Sequence, residues 1–220
     1  DKVKLAMDVA KKEFSLTQGM QHERCANVYI GIPFCPTICA YCSFSSFPAE
    51  RYRDKMDAYL DALEKEMTQC KEWLAGKQMV SVYVGGGTPT SLSEEQFERL
   101  MAMTEKYLPM EQSKEFTVEA GRPDSITEGK LRSMKAHGVT RISINPQSMK
   151  EHTLELLGRK HTVEEIREKF MLARTLGFDN INMDLIAGLP EETLEDFKET
   201  LREVEALKPD SITVHTLVIK

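Results

Sequence analysis

The sequence predicts an α/β fold, a partial (β/α)6 TIM-like barrel of parallel strands that ends at its sixth strand and is led by an N-terminal helix. Three observations predict it. Short runs rich in Val and Ile recur along the chain, each followed by a turn and then by a segment with helical spacing. Strands joined by crossover helices run parallel, which leaves an open sheet covered on both faces or a barrel with helices only outside. Alternation within the strands separates the two. One face carries Val28, Ile30, Val80, Val82, Phe116, Val118, Ile142, Ile144, Ile181, Met183, Ile212 and Val214; the other carries Tyr29, Gly31, Ser81, Tyr83, Thr117, Glu119, Arg141, Ser143, Asn182, Asp184, Thr213 and His215. So many polar side chains beneath packed helices would cost a large desolvation penalty, so they are expected to line a wet or ligand-filled lumen. A closed eight-stranded barrel fills its interior with branched apolar groups, and six strands with a polar inner face therefore predict a splayed barrel around something sizeable.

Residues 1–20 read as the leading helix, within an N-terminal extension over 1–26 that precedes a core domain over 27–220. The first strand is expected at 27–32 (NVYIGI). The clearest helix spans 50–74, where Met56, Leu60, Leu63, Met67, Cys70 and Leu74 advance by alternate steps of four and three, an apolar stripe one face wide. Strands at 79–84, 115–119, 139–144, 180–186 and 210–217 then alternate with helices at 93–106, 127–137, 162–176 and 191–206. The last two helices open with Thr162 and Glu191, each after a breaker. The chain opens with Asp1 and stops at Lys220 directly after a strand-like run, which reads as a fragment of a longer protein.

Composition narrows the function classes. With 29 Lys+Arg against 35 Asp+Glu the formal charge of the 220 residues is -6, which speaks against an extended phosphate-neutralising surface, so no nucleic-acid partner is expected. No apolar run reaches the length of a membrane span. A chain of this length buries enough surface to fold without a metal or disulfides, so a metal site needs a functional reason. The five cysteines are an odd number and three crowd into residues 35–42, a usage that fits a reducing cytosol and a cytoplasmic protein. Cys25 and Cys70 read as inert, His22, His137, His152 and His161 lack metal spacing and read mostly as surface residues, and the dispersed methionines read as core filler.

The strongest chemical signal is GIPFCPTICAYCSF after the first strand, where Cys35, Cys39 and Cys42 are separated by three and then two residues. Thiolates are soft ligands that suit iron–sulfur clusters, zinc or copper(I). A buried helical face would give the same spacing, but Pro33 and Pro36 oppose a helix here. Structural zinc takes four protein ligands, often from paired C-x-x-C turns, and the sequence has no second pair. Three thiolates on one loop instead suit a cubane cluster with one iron left open. The turn Gly85-Gly86-Gly87-Thr88-Pro89-Thr90 lacks both the Lys of a phosphate loop and the last glycine of a dinucleotide fingerprint, yet it lets a ligand approach the backbone closely. Glu119, Gln147 and Asp184 fall at or just past successive strand ends, with Arg159 in the loop after the fourth strand, and that rim is where parallel barrels bind ligands.

From CPTICAYC followed by GGGTPT, the sequence resembles the radical S-adenosylmethionine (SAM) superfamily from about residue 27 to its end. Through YIGIPFC, LLGRKHT and NMDLIAGLP it is similar to the oxygen-independent coproporphyrinogen III oxidase-like family. The resemblance implies that Cys35, Cys39 and Cys42 hold a 4Fe-4S cluster whose open iron takes the amino and carboxylate groups of SAM. It further implies that Gly86, Gly87 and Thr88 contact the methionine amino end and that Arg159 pairs with the carboxylate. Glu119 would be another polar anchor, Gln147 and Asp184 would bind the ribose hydroxyls, and Tyr29 and Tyr41 would flank the cofactor.

The reaction implied is one-electron cleavage of SAM to a 5'-deoxyadenosyl radical that takes a hydrogen from a propionate of coproporphyrinogen III, which then loses carbon dioxide to leave a vinyl group. The partners implied are a tetrapyrrole substrate and a reducing electron donor. The well-defined oxidases carry a further cysteine one residue after the triad, where this chain has Ser43 and Phe44. That ending resembles oxidase-like paralogues, among them haem chaperones that bind haem without decarboxylating porphyrinogen. Another radical reaction, on a tetrapyrrole or on RNA, is the third expectation.

Overall fold

The computed structural model describes residues 1–18, 22–44 and 46–217; positions 19 and 20 of the expected leading helix and positions 218–220 lie outside the described residues. In chain order the elements are α1 (Lys2–Thr17), β1 (Cys25–Ile32), β2 (Phe34–Cys35), β3 (Phe47–Pro48), α2 (Met56–Trp73), β4 (Gln78–Gly86), α3 (Glu94–Tyr107), β5 (Glu115–Gly121), α4 (Glu128–Ala136), β6 (Arg141–Gln147), α5 (Glu151–Leu156), α6 (Val163–Thr175), β7 (Ile181–Ala187), α7 (Leu194–Leu207) and β8 (Ser211–Thr216). The main sheet runs β1-β4-β5-β6-β7-β8 with every pair parallel. It curls into a half-barrel that leaves β1 and β8 as open edges.

The helices stay outside because only one face of each strand is apolar. Val82, Val118, Ile142, Ile144, Ile181 and Met183 are sealed from solvent, packed with Leu60, Phe97, Leu131 and Phe170 from the helices. The α2 stripe buries Met56, Leu60 and Met67, with Leu63 and Leu74 packed against the same core. Capping boxes start α3 at Ser93 with Gln96, α6 at Thr162 with Glu165, and α7 at Thr193 with Asp196. The α7 start corrects the expectation of Glu191, which instead takes a left-handed turn at φ 63°. Among the described residues no helix is long and apolar enough to cross a membrane.

One further correction concerns a strand face. Ala26 pairs with Met79 but Asn27 with Ser81, so Val80 is an extra residue in β4 and Met79 takes the helix-facing place assigned to it. Met79 is accordingly buried and Val80 only half-buried. Ile212 and Val214 do face the helix side, but they are 41% and 48% exposed because no described helix follows β8 to cover them. Helix α5 and the short β2–β3 pair had no signal in the sequence pattern, since six and two residues are too few to show a period.

The bulge makes an ordered prediction. Met79→Ala should cost about 2–5 kcal/mol in denaturant unfolding, and Val80→Ala less than about 1 kcal/mol, being only partly removed from water. Equal losses would contradict the register.

Candidate functional site

The cysteine loop is shaped by backbone hydrogen bonds at both ends. β2 and β3 pair in parallel, Phe34 with Phe47 and Cys35 with Pro48, so the intervening residues must bulge out as a closed loop. The Phe47 amide donates to the Pro33 carbonyl at 2.8 Å and the Ala49 amide to that of Cys35 at 2.7 Å. Inside the loop the Cys42 amide donates to the Cys39 carbonyl at 3.0 Å, making a turn rather than a helix. The Ala40 amide donates to the Leu157 carbonyl at 3.2 Å, and the Thr37 hydroxyl to that of Gly158 at 3.0 Å, which ties the loop to the segment after β6.

The three-glycine turn lies directly against this loop. The Gly87 amide donates to the Ile32 carbonyl and the Thr88 amide to that of Phe34, both at 2.7 Å. A Cβ on Gly87 would sit 2.7 Å from the Phe34 carbonyl oxygen and 3.0 Å from Cys35 Sγ, and Gly86 has φ 114°. Only glycine permits that backbone path and that approach. The Thr88 hydroxyl donates to Cys35 Sγ at 3.5 Å, while burial pushes the Cys35 thiol up and that hydrogen bond opposes it.

All three cysteines, Gly86, Gly87, Thr88, Tyr29, Tyr41, Glu119, Gln147, Arg159 and Asp184 line one cavity of about 520 Å³ at the carboxyl ends of the strands. Of the polar strand positions read from the sequence, all but Gly31, Ser81 and Thr117 line it as well. Two sheet irregularities help to aim the rim. The β5–β6 register shifts between Glu119 and Gly121, and the β6–β7 register between Ile144 and Gln147, where Gln147 takes φ 70°. Bulges of this kind redirect side chains at barrel rims.

The electrostatics of the lumen follow from burial. Tyr83 Oη donates to Glu119 Oε1 at 2.6 Å and its ring stacks on Tyr29 with centroids 5.8 Å apart. Burial, helped by the Asp184 charge and opposed by the Tyr83 hydrogen bond, pushes the Glu119 carboxyl up to about 7. Asp184 accepts from Asn182 Nδ2 at 2.6 Å. Arg159 donates to the Asn145 carbonyl at 2.7 Å and to Tyr41 Oη at 3.0 Å, and burial pushes the Tyr41 phenol up to about 12 although the nearby guanidinium opposes it. Arg159 Nε and Gln147 Oε1 are buried without a hydrogen-bond partner.

Three thiols from one loop are the soft donors that a polynuclear iron–sulfur cluster takes. Among the described residues no three His, Cys, Asp or Glu side chains meet closely enough to hold one metal ion. In a cubane each thiolate takes a different iron, and three thiols lining one cavity suit that arrangement. The orphaned Gln147 oxygen and Arg159 nitrogen, and the glycine face against Cys35, leave polar groups and close-approach surface for a second ligand beside it.

Sequence reasoning missed three groups here. Arg122 and Asp124 follow β5, and His161, expected at the surface, has a fully buried ring with Nδ1 3.5 Å from Asp124 Oδ1. The signal available was position alone: Arg122 comes three residues after Glu119, at a strand end where a charged side chain turns inward.

Comparison with known proteins agrees with this geometry. Residues 29–204 match the family model of the radical SAM superfamily. The chain is 42% identical over its whole length to the oxygen-independent coproporphyrinogen-III oxidase-like protein HemZ of Bacillus subtilis, covering 45% of that protein. It is 37% identical to the heme chaperone HemW of B. subtilis over 88% of the chain and 51% of that protein. The solved structure of coproporphyrinogen III oxidase (HemN) from Escherichia coli superimposes with TM-score 0.78 at 33% identity, covering 88% of this chain and 44% of that one. The chain thus spans about half the length of the relatives it matches. By its six-stranded half-barrel, its cysteine loop and the match of most of its length, the chain belongs to the radical SAM superfamily.

Proposed function

We propose that this chain is the core of a radical SAM enzyme of haem biosynthesis that decarboxylates the propionates of coproporphyrinogen III without oxygen. The observation that carries the reading is the convergence of the three thiols and the rim groups on one cavity; the likeness to an oxidase of that substrate supplies the substrate class. Bound there by Cys35, Cys39 and Cys42, a 4Fe-4S cluster with SAM supplies one-electron chemistry that removes a hydrogen atom from an unactivated carbon.

The chain's own residues do the positioning. Arg159, already fixed by Tyr41 and Asn145, keeps an unpartnered Nε, a charge-assisted donor that suits a carboxylate. Asp184 and Gln147 offer acceptors for ribose hydroxyls, and Gly86, Gly87 and Thr88 offer close backbone approach. Glu119, neutral or ionised around neutral pH, meets a cationic amine as a carboxylate and gains charge when it does. The stacked Tyr29–Tyr83 pair, with Tyr29 61% exposed, presents a flat apolar wall to a planar ring. The propionate that loses a hydrogen atom then loses carbon dioxide and passes one electron to an acceptor, leaving a vinyl group. The free cysteines suit a reducing cytosol.

A haem-chaperone reading is favoured by one feature. Ser43 and Phe44 follow the triad, and Phe44 is 74% exposed at the cavity wall, apolar surface that a bound macrocycle would cover. Anaerobic incubation of the full-length protein with SAM, a reductant and coproporphyrinogen III should give vinyl product and 5'-deoxyadenosine together. Stoichiometric haem binding and transfer, with the porphyrinogen untouched, would replace the enzyme reading by the chaperone one.

Two measurements test the site itself. Iron and sulfide analysis after anaerobic reconstitution should give close to four of each per chain, and the triple change of Cys35, Cys39 and Cys42 to Ala should abolish both. Retention of stoichiometric zinc in place of iron would end the cluster reading. Second, Glu119 has its folded-state value raised, so the folded protein holds a proton that the unfolded chain releases. Stability therefore falls as pH rises from the ordinary carboxylate range to about 7, by up to roughly 3 kcal/mol for a fully buried group. Glu119→Gln should flatten that decline in ligand-free protein; parallel curves for the two proteins would refute the assignment.

A further inference from the structure

Arg122 follows β5 directly and is 3% exposed. Its Nε and Nη2 donate to the two oxygens of Asp124 at 3.0 and 2.7 Å. That fork leaves Nη1 aimed at the cysteine loop. It donates to the Thr37 carbonyl at 3.2 Å and to the Thr37 hydroxyl, and it lies 4.0 Å from Cys39 Sγ. Thr37 stands between Cys35 and Cys39, so one guanidinium grips the turn that sets their separation. Behind it, Asp124 contacts the buried His161 ring at 3.5 Å. Burial would raise the Asp124 carboxyl, but the contacts with His161 and Arg122 hold it well below the usual range, so it stays ionised and the fork stays paired.

An ion pair of this kind, with the guanidinium buried and the Asp124 side chain 19% exposed, is a weak source of stability, because desolvation offsets most of its attraction. Its orientation matters more. Asp124 neutralises the far side of the guanidinium, and the positive end of the resulting dipole faces Cys39. Reduction adds one negative charge to an iron–sulfur cluster, and hydrogen bonds and nearby charge on its sulfurs set the potential at which that happens.

We propose that Arg122, held by Asp124, is a positioning residue for the cluster: it fixes the Cys35–Cys39 turn through Thr37 and directs positive potential at the Cys39 sulfur, making the cluster easier to reduce. This rests on the cluster reading above and not on any choice of substrate.

The test is a redox titration followed by electron paramagnetic resonance, on full-length protein reconstituted anaerobically without substrate, paired with iron loss to a chelator. Arg122→Met should move the midpoint potential to a more negative value and speed iron loss, in line with the roughly 10–100-fold lower metal affinity that follows removal of a ligand's outer partner. Arg122→Lys should recover part of the potential but little of the grip on Thr37. Asp124→Asn, which leaves the guanidinium uncompensated, should move the potential the opposite way, a signature that mere structural damage would not produce. If Arg122→Met holds no cluster, the Lys and Asn variants carry the comparison. Wild-type potential in every variant that binds iron overturns the proposal while leaving the cluster reading intact. A wild-type protein that takes up no iron overturns both.

Discussion

The site depends on one constraint: three side chains of a single loop must face one cavity from a backbone that cannot be helical there. The β2–β3 pairing closes the loop at its base, and the Gly87 and Thr88 amides bond to carbonyls at the end of β1 and the start of β2. Those bonds place the glycine turn so close that a Cβ on Gly87 would sit 3.0 Å from Cys35 Sγ. Neither half of the arrangement stands alone. A bulkier residue at Gly87 would push the turn off Phe34, and a loop not closed at Phe47 would leave Cys35 without its fixed neighbour. The strand order supplies the rest, since β4 is the neighbour of β1 and its carboxyl end therefore meets the loop that leaves β1.

Most of the fold was legible because its period was. Strands with one apolar and one polar face admit few architectures, and the polar face, from Tyr83 and Glu119 to Asn182 and Asp184, does line the cavity. The errors fell where one residue breaks the alternation. Nothing in MVSVYV marks Val80 as an insertion, because Met79 and Val80 are both apolar and either serves a buried position. At β8 the alternation was right, yet burial needs a partner as well as a pattern, and no described helix lies over Ile212 and Val214.

The site was legible to a different degree at different residues. Cysteine and glycine spacing encodes local geometry, so Cys35, Cys39, Cys42, Gly86 and Gly87 were readable from the string alone. Glu119, Gln147, Arg159 and Asp184 were readable only after the strands had been placed, because their common feature is height on the barrel. Arg122 and His161 were not readable at all. Their partners lie 85 residues before Arg122, at Thr37, and across three elements from His161, at Asp124, and a charged residue in a loop ordinarily points to water.

The polar lumen has an energetic consequence for the ligand-free protein. Gln147 carries a left-handed backbone at φ 70° together with a buried amide oxygen that lacks a donor, and Arg159 carries a buried Nε that lacks an acceptor. Each such orphan costs roughly 1–3 kcal/mol, and the strained backbone adds about as much. An apolar side chain at Arg159 would remove its orphan only by stripping the Asn145 carbonyl and the Tyr41 hydroxyl of their donor. Both positions line the same cavity. A ligand bringing an acceptor to Arg159 and a hydroxyl to Gln147 therefore starts with a favourable term that an apolar ligand of equal size lacks, and the lumen selects polar ligands before any shape complementarity operates.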